Sequence, residues 1–281
     1  MKPNLIIYKK YRNINIWQEL ISLLKRLYIQ TYRKPINFLT SILQPTIWLI
    51  LFGALFRNAP VSLSGNYNVK YIQFLSYGTI IFSAFTSAIN AGLPVIFDRE
   101  FGFFNRLIIS PLAYKTSIFM SIAIHTLNSS VIQNITILSI SMYLTNETHL
   151  SYQVFMIIII SAIITLQISN LSIAMSFILP GHVEFLGLIL ITNLPILFSS
   201  TALAPLSFMP YWLQIISCMN PLTYAIEIIR HISIYNHITL ETSIINTIWF
   251  TANTKNSLCI LILTNIISIY TIKQTLRNKY N

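Results

Sequence analysis

The chain has 281 residues, of which 54% are hydrophobic and 9% charged, and its mean hydropathy is +0.66. A soluble domain is about one quarter charged, so this composition excludes an ordinary water-soluble protein and points to an integral membrane protein. The net charge is +11, but no basic groove with interleaved aromatics stands in an aqueous segment. The basic residues instead mark the ends of apolar runs, as topology signals do, and nucleic-acid binding is set aside.

Residues 1–35 form a polar and amphipathic lead-in, without the short basic start and apolar stretch of a cleavable signal. From Asn15 to Lys34 the spacing predicts a helix. Ile16, Trp17, Leu20, Ile21, Leu24, Leu27 and Tyr28 share one face, and Gln18, Glu19, Ser22, Lys25, Arg26 and Arg33 the other. Asn15 with Gln18 reads as a capping box, and Pro35 marks the end. Such a helix lies in the membrane interface, its basic face toward lipid headgroups or a partner; a plain anchor is the other reading.

A membrane-spanning helix needs about 20 apolar residues. Six segments qualify: 36–56, 71–96, 117–144, 152–179, 185–206 and 257–273. Of the 18 Lys and Arg, fourteen fall on the side of the N-terminus and four on the other, which places both termini inside. The expected fold is all-α, with 1–35 as the N-terminal segment and 36–281 as a six-helix transmembrane domain.

Polar residues stripe the spans. Gln44 lies in the first, Asn90 in the second, His125 and Asn128 in the third, Gln167 and Asn170 in the fourth, and Asn193 before Pro195 in the fifth. Intramembrane polar groups bond neighbouring helices or line a path. Gln44, Asn90, Asn128, Gln167 and Asn170 are the candidate path-lining set, with helix–helix bonding the competing reading. No Asp, Glu, Lys or Arg sits at the centre of a span, and matching broken helices are absent, which argues against a proton-coupled carrier. The chain contains no Gly-Lys dipeptide, hence no phosphate-binding loop, and no nucleophile–base set or paired acids. Cys218 and Cys259 form no CxxC pair, and the five histidines show no metal-ligand spacing. An enzyme is disfavoured, no metal or cofactor is expected on this chain, and energy for any transport would have to come from another subunit.

Between the second and third spans stands DREFGFFNRLIISPL, residues 98–112. On a helix, Phe97, Phe101, Phe104 and Ile108 fall on one face, and Asp98, Arg99, Asn105 and Arg106 on another. These charges make no i,i+4 pairs among themselves and are expected to be free for a partner. Ser110–Pro111 reads as an N-cap followed by a first-turn proline, an elbow into the next span. In NPLTYAIEIIR (220–230), Asn220 caps a short helix begun by Pro221, with Glu227 and Arg230 three apart.

With the amphipathic WQELISLLKRLYIQTYRKP (17–35), these two motifs make the chain resemble the ABC-2 type permeases, the membrane subunits of a class of ATP-binding-cassette exporters. The likeness runs from about Trp17 onward and is closest to the multidrug or lipid exporters, narrowly to plastid-encoded members. A composition in which about one residue in five is Ile, an AT-rich codon, suits that narrower match. The resemblance implies a homodimer of six-helix subunits with two separate ATPase subunits below, ATP and Mg bound on those partners, and a lipid-like or amphipathic substrate. It implies an ATPase-coupling helix containing Asp98, Arg99, Glu100, Gly102, Arg106, Ser110 and Pro111. The N-terminal helix (Trp17, Leu20, Leu24, Lys25, Arg26) would border the same interface. Asn220, Pro221, Glu227 and Arg230 would lie in an outer re-entrant segment, either as a structural ion pair or as part of an exit gate. A six-span channel-like or protein-translocation subunit that needs no ATPase is the alternative.

Overall fold

The computed structural model describes residues 5–56, 69–109, 116–146, 150–235, 242–247 and 250–280. It is almost entirely helical: α1 (Leu5–Arg33), α2 (Pro35–Leu55), α3 (Tyr71–Ile89), α4 (Leu93–Glu100), α5 (Phe103–Ile109), α6 (Thr116–Thr145), α7 (Ser151–Ile178), α8 (His182–Phe198), α9 (Tyr211–Met219), α10 (Pro221–Tyr235) and α11 (Thr254–Tyr280). One departure from the all-α expectation is a small antiparallel hairpin, β1 (Ser243–Asn246) and β2 (Thr251–Asn253), which pairs Ile245 with Ala252.

The innermost element is α3, buried without interruption from Phe74 to Ile89. It packs against α2, α6, α7 and α10. Gly78 allows a further close approach, to the turn after α8, since a methyl there would come within 2.4 Å of the Ala202 carbonyl oxygen. A 3₁₀ turn at Asn90–Gly92 breaks the span, and Pro94 opens the continuation α4. Ser172 of α7 closes the break: its hydroxyl donates to the Ile89 carbonyl at 2.5 Å and accepts from the Gly92 amide at 2.9 Å. Among the described residues, four stretches are long and apolar enough to cross a bilayer: 38–55, 71–100, 151–178 and 254–277. The helix α6 has the length at 30 residues but carries Asn and Gln, whereas α8 is apolar but only 17 residues long. The fifth apolar run, 185–206, is therefore not one helix, for α8 ends at Phe198 and a turn follows.

The polar residues of α6 are the bundle's internal bonds. Ser83 donates to Asn134 at 2.6 Å, Gln133 donates to Ser41 at 2.8 Å, and Thr165 donates to Ser130 at 3.1 Å, tying α3, α2 and α7 to α6. Two apolar clusters flank this polar middle. One gathers Leu23 and Leu27 of α1 with Val95, Phe104, Ile118, Phe177 and, at its margin, Ile272 and Leu276. The other, toward the opposite end, joins α3, α7, α8 and α10 with Ile245 and Ala252 of the hairpin. The first cluster therefore marks the end of the bundle at which both α1 and the close of α11 lie.

The α4–α5 junction turns on Gly102, whose φ of 71° is left-handed. A side chain there has open space but the wrong backbone. Gly187, inside α8, has equally open space and ordinary helical geometry. Thermal unfolding of the detergent-solubilised chain should separate them: Gly102→Ala lowers stability by about 1 kcal/mol, and Gly187→Ala raises it by about as much.

Candidate functional site

At the termini end, the 98–100 triplet is fully engaged within the chain. This corrects the expectation that its charges stand free. A helical wheel counts only neighbours on the same helix, and these partners are more than 70 residues away. Asp98 accepts from Arg26 of α1 at 2.6 Å, with the two side chains 14% and 22% exposed. Arg99 donates to the Ser176 carbonyl, and to that of Leu179 at 3.3 Å, so its guanidinium covers the C-terminal carbonyls of α7. Glu100 does the converse at the start of α8. Its carboxylate accepts from the His182 amide at 2.6 Å and meets His182 Nδ1 at 2.5 Å.

The cation thus sits at a helix C-terminus and the anion at a helix N-terminus, the sense each helix dipole favours. Local sequence makes the turn that they grip. Pro180 forces Leu179 into extended backbone (φ −74°, ψ 143°), which ends α7, and Gly181 gives Glu100 Oε1 room, since a methyl there would lie 2.9 Å from it.

The segment is also not one continuous amphipathic helix. The turn at Phe101–Gly102 splits it, so Phe104 enters the core at 3% exposure while Phe101 is 80% exposed. Phe103, Asn105, Arg106 and Ile109 are likewise exposed on α5. Ser110 and Pro111, the expected elbow, lie outside the described residues.

The N-terminal helix begins at Leu5, so Asn15 is an interior residue and not a cap; Asn15 and Gln18 sit in unbroken helix because nothing before them stops it. Its far end falls where Pro35 requires, at Arg33. Leu20, Leu23 and Leu27 are buried, Leu24 is half-buried, and Trp17 and Lys25 are exposed. Arg26, expected on the polar face, turns inward instead and lies over the Phe103 ring at 4.9 Å as well as on Asp98. Tyr28 accepts from Asn128 at 2.7 Å, and Thr31 meets His125 at 3.0 Å, so α1 is bound along α6.

The candidate path residues do not gather on one surface. Asn128 holds Tyr28, and Gln167 is buried and accepts from Thr264 of α11 at 3.3 Å. Gln44 and Asn90 are exposed and Asn170 is half-buried. For Asn128 and Gln167, helix–helix bonding is the role that the geometry supplies.

At the opposite end, Arg230 is fully buried and Glu227 nearly so, joined at 2.5 Å. The guanidinium stacks on Phe74 at 3.6 Å and donates to the carbonyls of Thr201, at 3.0 Å, and Phe74, at 3.3 Å. Asn220 caps α10 through the Leu222 amide at 3.0 Å, and its own amide donates to the Ile196 carbonyl at 3.0 Å. Pro221 begins the helix as its position implies. The 220–230 motif is therefore a tie among α3, α8 and α10. That Arg230 and Asn220 reach the end of α8 is a signal absent from the sequence, because the acceptors are backbone carbonyls.

Two outcomes follow. Glu227→Gln strands a buried guanidinium and lowers stability by about 3 kcal/mol in unfolding assays. A double-mutant cycle of Arg26→Ala and Asp98→Ala gives a coupling of about 1 kcal/mol, the value for a partly buried pair in contact.

The sequence of the ABC-2 type transporter family matches residues 18–234. A protein of Porphyra purpurea named "Putative transport permease ycf38" is 44% identical over 272 residues, covering 97% of this chain and 93% of that protein. Proteins of the same name from Pyropia yezoensis and Cyanophora paradoxa are 43% and 42% identical, covering 94% and 93% of this chain and 90% of each relative. The family match takes in the α1 helix, the charged triplet with its elbow, and the buried 220–230 tie, and on these grounds the chain belongs to the ABC-2 type transporters, as an integral membrane permease.

Proposed function

We propose that the chain is the membrane-spanning subunit of an exporter driven by separate ATPase subunits, to which ATP and Mg bind, and that it works as a homodimer. In this reading α2, α3–α4, α6, α7, α8 and α11 are the six crossings, with residues 1–35 as the N-terminal segment and 36–281 as the transmembrane domain. The hydrogen bonds that α6 makes to three neighbours offset its low apolarity. The turn after α8 completes a crossing that α8 alone, at about 25 Å, falls short of.

The basic residues Lys25, Arg33, Lys34, Arg106, Lys273 and Arg277 are exposed and lie on elements of the termini end. By the positive-inside rule that end faces the cytoplasm or its plastid equivalent, the stroma. The names of the relatives favour a plastid membrane, and α1 rests at its inner surface, against lipid headgroups.

The observation that carries the reading is a second elbow, the α4–α5 bend at Phe101–Gly102, and the exposed residues around it: Phe101 at 80% and Ile109 at 83% exposure, with Phe103 and Arg106 beside them. Aromatic and arginine side chains on a protruding polar-rimmed patch suit a protein partner. The triplet behind them anchors the elbow to three helices. It is the support of the docking surface, and the exposed α5 residues are its contact. Gln44 and Asn90 are exposed polar groups within spans, where lipid is a costly neighbour; a second copy, or a path between copies for an amphipathic, lipid-like substrate, gives them polar company.

Affinity purification of the full chain in mild detergent recovers an ATPase if this holds. Phe101→Ala with Arg106→Glu reduces that recovery about tenfold, or ~1.4 kcal/mol, while the amount inserted in membranes is unchanged. Undiminished recovery from the variant moves the dock elsewhere. Absence of any ATPase from wild-type preparations supports the channel-like alternative.

A further inference from the structure

We infer that α3–α4 and α8 form one strut, clamped at both ends, so that loosening either end loosens the other. At the termini end, Glu100 holds the amide and ring of His182, the first residue of α8. Arg99 holds the close of α7 beside it. One turn into α8, at the same end, Gly92 lies beneath Phe185: a methyl on Gly92 would stand 2.6 Å from Phe185 Cζ. At the far end the two elements are bridged three times. Arg230 donates to both the Phe74 carbonyl of α3 and the Thr201 carbonyl just beyond α8. The Tyr71 hydroxyl donates to the Leu203 carbonyl at 2.9 Å. Gly78 and the Ala202 backbone are in direct apposition.

These contacts are of kinds that yield abruptly. The Glu100 contacts are hydrogen bonds at a helix end, the Gly92 contact seats the Phe185 ring against the backbone, the Gly78 contact is backbone on backbone, and the Arg230 contacts are buried. Close-packed interiors transmit strain and do not deform smoothly. A helix of 17 residues spans about 25 Å, so a displacement at His182 has a stiff element to carry it to Thr201. There it meets the buried guanidinium that also seats α10. The strut gives the elbow a route to the opposite face: α4 leads directly from Gly102 into the clamp. Its use in transport rests on the coupling reading above; its cooperativity does not.

The test therefore uses the chain alone, without an ATPase. Hydrogen–deuterium exchange is measured on the purified full chain in nanodiscs for wild type, Glu100→Ala and Tyr71→Phe. Glu100→Ala removes both contacts to His182 at a surface site, and Tyr71→Phe removes one hydroxyl, so both variants keep the core intact. Each should speed exchange in residues 181–188 and in residues 199–206 together, about tenfold for Glu100→Ala and about fivefold for Tyr71→Phe, as one cooperative unit would. Residues 254–262 of α11 should be unchanged. Acceleration confined to the mutated end in either variant would overturn the strut. Recovery of an ATPase with independent ends would leave the coupling reading standing and remove only this inference.

Discussion

A bilayer offers no water to a backbone group that loses its helical partner, and this constraint decides where the chain's few polar side chains stand. The bundle is interrupted at Asn90–Gly92, at Leu179–Gly181 and around Ser199–Asn220. At each interruption a side chain from another element supplies the missing bond. Ser172 serves the first, Arg99 and Glu100 the second, and Arg230 with Asn220 the third. A chain with seven acidic residues in all places three of them, Glu100, Glu184 and Glu227, in these interruptions or beside them.

The same constraint explains the division of labour among the helices. Between interruptions the helical ladder serves the backbone, apart from the bonds that Pro45 and Pro195 remove, and a neutral polar residue suffices to hold one helix to the next. Interhelical bonds of this kind average about 0.6 kcal/mol in membrane proteins, so Asn134, Gln133 and Ser130 on α6 add up through number. A charge is needed only where several carbonyls or an amide must be met at once, as at the ends of α7 and α8. Burying Arg230 is tolerable because its guanidinium meets Glu227, two carbonyls and an aromatic face together.

How much of this was legible in the sequence follows from the range of each signal. Hydropathy and length are local, and they located α2, the α3–α4 span, α7 and α11 within a few residues. They ran α8 on to residue 206 because Ala202, Leu203 and Ala204 continue the apolar run after the helix has stopped. Proline is local too: Pro35 ends α1 and Pro221 begins α10 where expected, and Pro180 closes α7. The capping box at Asn15 failed because a box ends a helix only when the residues before it are not themselves helical, and here they are. The role of the 98–100 triplet was misread for a different reason. Its nearest charged neighbours in sequence are each other, whereas its partners, Arg26, His182 and the end of α7, come together only through the packing of four helices. Polar stripes were visible but ambiguous, and only the partner atoms separate Gln167, which bonds α11, from Gln44, which faces outward.

The internal engagement of the triplet changes what the α4–α5 elbow is able to do. A free charged helix would present a partner with side chains that move independently of the bundle, and force applied to them would be lost in their own rotamers. With Asp98 on α1, Arg99 on α7 and Glu100 on α8, any push on Phe101 or Arg106 is met by three elements at once. Gly102, at a φ of 71°, is the one glycine between that anchor and the exposed residues of α5. In the proposed reading the charges are the foundation of a docking surface, and the exposed aromatic and apolar residues, Phe101 above all, are its contact.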